Sequence, residues 1–146
     1  MTITRRELGF LLPALVPVAA ALDAFPAEDT SMPSAHYLFD ELPMQILDHA
    51  EMRRVLKGKL ATGEGLEVHE TTLPAGTSPH APHHHVHSEM WLIREGTVEL
   101  TVNGTSYRLG PGSVGFVHSN DEHGIKNVGD TAATYFVVAV GPGADA

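Results

Sequence analysis

At 146 residues, with 42% hydrophobic and 18% charged side chains, the chain has the length and composition of one globular domain, and its 14 Gly and 10 Pro favour short strands and tight turns over long helices. Asp and Glu outnumber Lys and Arg by 18 to 9, for a formal charge of -9, and no basic run could neutralise a phosphate backbone, so nucleic acid is excluded as a natural partner. The absence of cysteine removes disulfides, thiolate nucleophiles and sulfur ligands together; any metal must be held by nitrogen and oxygen.

The N-terminal stretch MTITRRELGFLLPALVPVAAALDAF has an arginine pair at Arg5 and Arg6, an apolar run from Gly9 to Leu22, and small residues at Ala19, Ala20, Ala21 and Ala24. It resembles a twin-arginine export signal. The apolar run is about 14 residues against the roughly 20 that a membrane crossing requires, so a stable membrane span is not expected. A short core helix is the alternative reading. On the export reading, residues 1–24 are a signal peptide, the mature protein is periplasmic, and folding and metal loading precede export.

Residues 25–50 carry Pro26, Pro33 and Pro43 without a sustained period and read as an extended arm with at most a brief strand. From 51 to 141, strand-like runs follow at close spacing. They fall at 53–60, 65–73, 89–94, 97–102, 105–109, 113–117, 124–127 and 134–140, each bounded by turn residues. Asn103-Gly104 is a type I′ hairpin signal, and Glu95-Gly96 reads as a second hairpin turn, linking MWLIR to TVELT. Regular strands with no helical pattern between them give an all-β sandwich or barrel.

The segment PHHHVHSEMWLIREG holds four of the ten histidines. In an unbroken strand His83, His85, His87, Glu89, Trp91 and Ile93 share one face, while His84, Val86, Met90 and Leu92 share the other. His83 and His85, then Glu89 after a bend, could converge with His123 on one ion. Three neutral imidazoles and a carboxylate suit a divalent first-row metal and leave up to two positions for water, substrate or dioxygen.

These residues carry a specific resemblance. HHHVHSEMWLIREG is similar to the first cupin motif, His-x-His, three residues, Glu, six residues, Gly, at His83, His85, Glu89 and Gly96. GPGSVGFVHSNDEHGIKN resembles the second, His, three residues, Asn, at His123 and Asn127. Gly76 lies one residue further from His83 than is usual, His118 stands where the family often has proline, and Asn120 where it often has glycine. The resemblance spans roughly residues 53–141 and implies a single double-stranded β-helix, or jelly-roll, barrel. It implies one divalent metal on His83, His85, Glu89 and His123, with Glu89 also able to accept a proton.

Cupins with this ligand set include flavonol-cleaving dioxygenases, decarboxylases and sugar or keto-acid isomerases, so the resemblance implies a small dioxygenase or related enzyme acting on an oxygen-bearing molecule. A non-catalytic metal-dependent binding module is the alternative. Cytosolic loading favours iron or manganese, with nickel, copper and zinc also accepted by these donors. A homodimer, with the arm exchanged between subunits, is the assembly that fold analogy implies.

The remaining candidates have plainer readings. His84 and His80 read as exposed, His87 lies at the barrel mouth, and His36, His49, His69 and His118 are ordinary. Trp91, Ile93, Phe116 and Phe136 are core residues by default and pocket walls by alternative. Arg53, Arg54, Lys57 and Lys59 read as a solvated strand face. Glu122, beside His123, is the one further acid-base candidate.

Overall fold

A computed structural model describes residues 30–146; the segment read as an export signal lies outside them. Among the described residues nine antiparallel strands form two sheets. The first has the order β1-β2-β3-β9-β4-β7 and the second β6-β5-β8. The strands are β1 (Met44–Leu47), β2 (Ala50–Lys59), β3 (Gly65–Leu73), β4 (Ser88–Glu95), β5 (Val98–Val102), β6 (Thr105–Leu109), β7 (Val114–Val117), β8 (His123–Asn127) and β9 (Ala133–Gly141). Together they make the jelly-roll barrel that the strand pattern and the motifs imply. Among the described residues no helix is long and apolar enough to cross a membrane.

Alternation places the core. On β4, Trp91 and Ile93 are buried while Leu92 is exposed, and on β9 Ala133, Tyr135, Val137 and Ala139 turn inward. Leu73 and Val98 are wholly buried, Leu73 beside its cross-strand partner Ala133 and Val98 beside its partner Asn127, and Leu100 and Val117 are buried as well. Each such side chain contributes roughly 1.5–3 kcal/mol relative to leaving it in water. Asn127 is also wholly buried. Its amide donates to the carbonyls of Leu73 and Thr131 at 2.9 and 2.8 Å and accepts from the Gly129 N–H at 2.9 Å, so this second-motif residue pins loops rather than facing a ligand.

Two turns show how far local sequence reaches. Asn103 and Gly104 have φ of 47° and 78°, the double positive conformation of a type I′ hairpin, and join β5 to its partner β6. Glu95-Gly96 is not a hairpin turn. It is a corner, because β4 belongs to the first sheet and β5 to the second. A register shift between Ile93 and Glu95 bends β4 at its end, and a Cβ on Gly96 would sit 2.6 Å from Ala133 Cα, so the chain crosses between sheets where glycine alone fits.

The N-terminal segment is more structured than a bare arm. A single 3-10 turn at Phe39–Glu41 precedes β1, which pairs with β2 at the edge of the large sheet. Arg53 holds this turn in place: its guanidinium lies 4.6 Å from the Phe39 ring centre and donates to the Leu42 carbonyl at 3.2 Å. The other three cations of the strand have partners as well: Arg54 pairs with Glu67 at 3.3 Å, Lys57 with the Ala146 carbonyl, and Lys59 with Asp145 at 4.0 Å. The basic group therefore braces the outside of the barrel.

Candidate metal centre

The cluster is assembled by backbone pairing before any side chain acts. His83 and His123 exchange both backbone hydrogen bonds, N–H to carbonyl at 2.9 and 2.8 Å, in an isolated antiparallel bridge. This clamps the loop ahead of β4 onto the start of β8. The Asn120 N–H donates to the His85 carbonyl at 2.8 Å. Asn120 has φ of 66°, the left-handed conformation for which glycine is favoured, and asparagine is among the few other residues that adopt it readily. The departure from the motif is thus conformationally silent.

His83, His85 and His123 have ring centres 4.7 to 5.3 Å apart, and each offers a nitrogen within 4.8 Å of the others. His85 Nδ1 lies 2.9 Å from the His87 carbonyl and His123 Nδ1 2.9 Å from the Asp121 carbonyl. A carbonyl only accepts, so Nδ1 carries a proton in both rings, and in the neutral imidazole Nε2 keeps its lone pair. Both Nε2 atoms are buried and without a hydrogen bond. An imidazole held by its outer nitrogen with the inner one bare is the arrangement of a metal ligand.

Glu89 completes the group. Its Oε1 lies 3.1 Å from His85 Nε2 and its Oε2 3.5 Å from His123 Nε2. Ligand atoms about 2.1 Å from a common ion are spaced about 3.0 to 3.4 Å in octahedral or tetrahedral shells, and these separations match that spacing. The residues fit a divalent ion.

His87 is the competitor. It stacks on His85, with ring centres 3.6 Å apart, and its Nε2 is 3.5 Å from Glu89 Oε1. His85, His87 and Glu89 thereby form a second possible trio that shares His85 with the trio of His83, His85 and His123. His83 is the more exposed of the contenders and His123 the deepest, only 2% exposed.

Electrostatics follow from this packing. Burial by itself would raise the Glu89 carboxyl, but the surrounding His123, His85 and His87 outweigh it and hold it below the ordinary range. Burial opposes a proton on His123, yet Glu89 and the Asp121 carbonyl prevail and raise it. Burial pushes His83, His87 and His69 down. Tyr135 is pushed up by burial and by the Glu89 charge.

A cavity of about 200 Å³ opens beside the cluster. Trp91, a core residue by default and a pocket wall by alternative, is both: it is buried in the core and lines the cavity, its ring meeting His123 edge to face at 5.4 Å. Three residues read differently from the sequence. His69 lines the cavity, because β3 turns His69, Thr71 and Leu73 to the same side. His80 is exposed, as its sequence context implies, and borders the cavity with its ring centre 4.4 Å from that of His83. Phe116 is 59% exposed on the outer face of β7, where Gly115 turns inward and makes room for Leu100. Glu122 is exposed at the strand end, its N–H bonded to Asn103, and does not border the cavity. His118 is exposed, with Nδ1 at the Ser119 carbonyl.

Comparison with known proteins agrees with this architecture. Residues 69–139 match the cupin domain family Cupin_2. The L-ectoine synthase of Bordetella parapertussis is 44% identical over 73 residues, 49% of this chain and 53% of that protein. The chain spans about half the length of the curated relatives it matches. Among solved structures, a predicted oxalate decarboxylase from Thermotoga maritima superposes with a TM-score of 0.62 at 21% identity, covering 73% of this chain and 99% of that one. KdgF from Halomonas sp. gives 0.63 at 16% identity, covering 73% and 94%. These likenesses agree with the jelly-roll barrel, which carries a cupin-domain match over residues 69–139, and the histidine group among the described residues could bind a metal ion.

Proposed function

We propose that His83, His85, Glu89 and His123 hold one divalent transition-metal ion and that the protein is an exported enzyme acting on a small oxygen-bearing organic molecule. The observation that carries this reading is the pair of buried, bare Nε2 atoms on His85 and His123, each oriented by a carbonyl behind it and each facing Glu89. Two unpaired buried nitrogens beside a carboxylate are costly without a bound partner. An ion there, iron or manganese ahead of nickel, copper or zinc, would polarise a coordinated oxygen or, if redox-active, take part in oxygen chemistry.

The chain's own residues supply the rest. Glu89, facing one imidazole with each oxygen, is the group placed to accept a proton from a bound ligand. Trp91, Ile125 and Val137 line the cavity with apolar surface that excludes water. The name that the curated relatives carry, a synthase, favours catalysis over passive binding. A non-catalytic metal-dependent binding module is the competing reading; it is supported by Glu122 standing away from the cavity.

Purified mature protein should carry close to one metal ion per chain, lost in a His83→Ala, His123→Ala double variant. Equal and negligible metal in both would remove the metalloenzyme. Export by residues 1–24 predicts a shortened N-terminus in a periplasmic fraction, which intact mass measures. The dimer predicts twice the chain mass by light scattering.

A further inference from the structure

The cavity has polar wall residues that the metal cluster does not use. His69 and Thr71 on β3 and Tyr135 on β9 all line it, and Thr71 and Tyr135 are direct cross-strand partners. Thr71 is 4% exposed and Tyr135 1% exposed, and neither hydroxyl has a hydrogen-bond partner among the described residues. His69 Nδ1, unlike the two hydroxyls, is sealed from solvent as well as unpartnered; Glu67 Oε1 lies 3.9 Å away and is already paired with Arg54.

The two hydroxyls have no partner on the chain and are not sealed from solvent, so they open onto the cavity with their hydrogen-bonding capacity free for a ligand, and only the His69 Nδ1 is both sealed and unpartnered. A phenol and a threonine hydroxyl that served packing alone would be replaced without loss by Phe and Val, which fill the same space. Functional sites are where a local cost such as the bare His69 nitrogen is retained.

We propose that His69, Thr71 and Tyr135 form a second recognition surface in the cavity, which hydrogen-bonds a hydroxyl or carbonyl oxygen at the far end of a small ligand whose other end meets the metal cluster. This deepens the functional reading above and rests on it for the ligand's other anchor. The ligand class follows from the space and its lining. About 200 Å³ admits roughly seven groups of water size, at about 30 Å³ each. The remaining wall, with Leu47, Met52, Ile125 and Val137, suits a short hydrocarbon spacer. The substrate class is therefore a short, bifunctional oxygen compound rather than a sugar chain or a large aromatic.

Trp91 is the only tryptophan and borders the cavity, so its fluorescence reports occupancy with or without metal. Cobalt(II)-loaded full-length protein would be titrated with 4-hydroxybutanoate and with butanoate, which differ only in the terminal hydroxyl. The wild type should favour the hydroxylated probe by about tenfold, and a Thr71→Val, Tyr135→Phe double variant should reduce the preference to within about threefold. His69→Leu should weaken it independently.

Thermal unfolding of the metal-free variants supplies the second readout: the double variant should melt close to the wild-type temperature, because neither hydroxyl bonds to the chain. Equal affinity for the two probes, a preference that survives in the double variant, or a clear fall in melting temperature would each overturn the recognition surface. Failure of cobalt to bind, read from its visible spectrum, would instead refute the metal reading. In that case the fluorescence titration of the metal-free protein and the melting comparison still decide whether the surface exists.

Discussion

The two ends of the barrel interior obey opposite rules. At one end Leu73, Val98 and Ala133 pack beside Asn127 with no polar atom among their side chains, and the Asn127 amide has three hydrogen bonds. At the other, three ring nitrogens, on His69, His85 and His123, are buried without a partner. One barrel thus separates stability from chemistry along its axis. The satisfied end holds the sheets together, and the unsatisfied end is kept open for something to bind.

The largest test of that contrast is at the packed end. Leu73→Ala should cost about 3 kcal/mol of unfolding free energy, through lost burial and the cavity left behind, measured by urea denaturation, with metal content per folded chain unchanged. A loss of metal without a loss of stability would blur the division. At the open end the effects invert: His123→Ala should weaken metal affinity by more than about 100-fold in a competition titration, since a direct ligand matters more than the supporting contacts whose loss reaches that size.

A pH series sharpens the comparison further. In the metal-free protein Glu89 is depressed below 4.5 and His123 raised above 6.5, so their contact contributes most between those two values. Below that window the contribution fades as pH falls through the lowered Glu89 value; above it, the contribution fades as pH rises through the raised His123 value. Metal needs the imidazole unprotonated, so loaded protein should gain stability on raising the pH through and beyond neutrality, where the empty protein loses this contribution. Melting curves of both forms from pH 4 to 9 would show the maxima separate; coincident maxima would mean that His123 does not exchange a proton for the ion. The smallest effect is expected outside the barrel, where Phe116→Ser on the exposed face of β7 should change stability by no more than about 0.5 kcal/mol.

What the sequence made legible was whatever depends on period and local turn chemistry. Parity alone put Glu89, Trp91 and Ile93 on the inner face of β4, and Asn103-Gly104 declared its own hairpin. Glu95-Gly96 misled because the same dipeptide serves a hairpin or a corner, and only the distant Ala133 decides which. Phe116 misled because an aromatic in a strand reads as core, whereas its true neighbour in parity, Val114, is exposed beside it. His69 was within reach: it shares parity with Thr71 and the buried Leu73 on β3, but a lone histidine between charged residues offers no hint that its strand borders the same cavity as His123. The β1 strand had no period to reveal it, since its four residues are all exposed at a sheet edge.

The central claim is that one ion sits among His83, His85, Glu89 and His123. Anomalous scattering from crystals of the metal-loaded protein, collected at the absorption edge of the bound metal, tests it most directly. A single peak within about 2.0 to 2.3 Å of the three imidazoles and the Glu89 carboxylate is the expected result. A peak bound by His85, His87 and Glu89 with His83 and His123 left free, or none in this cluster, would contradict it.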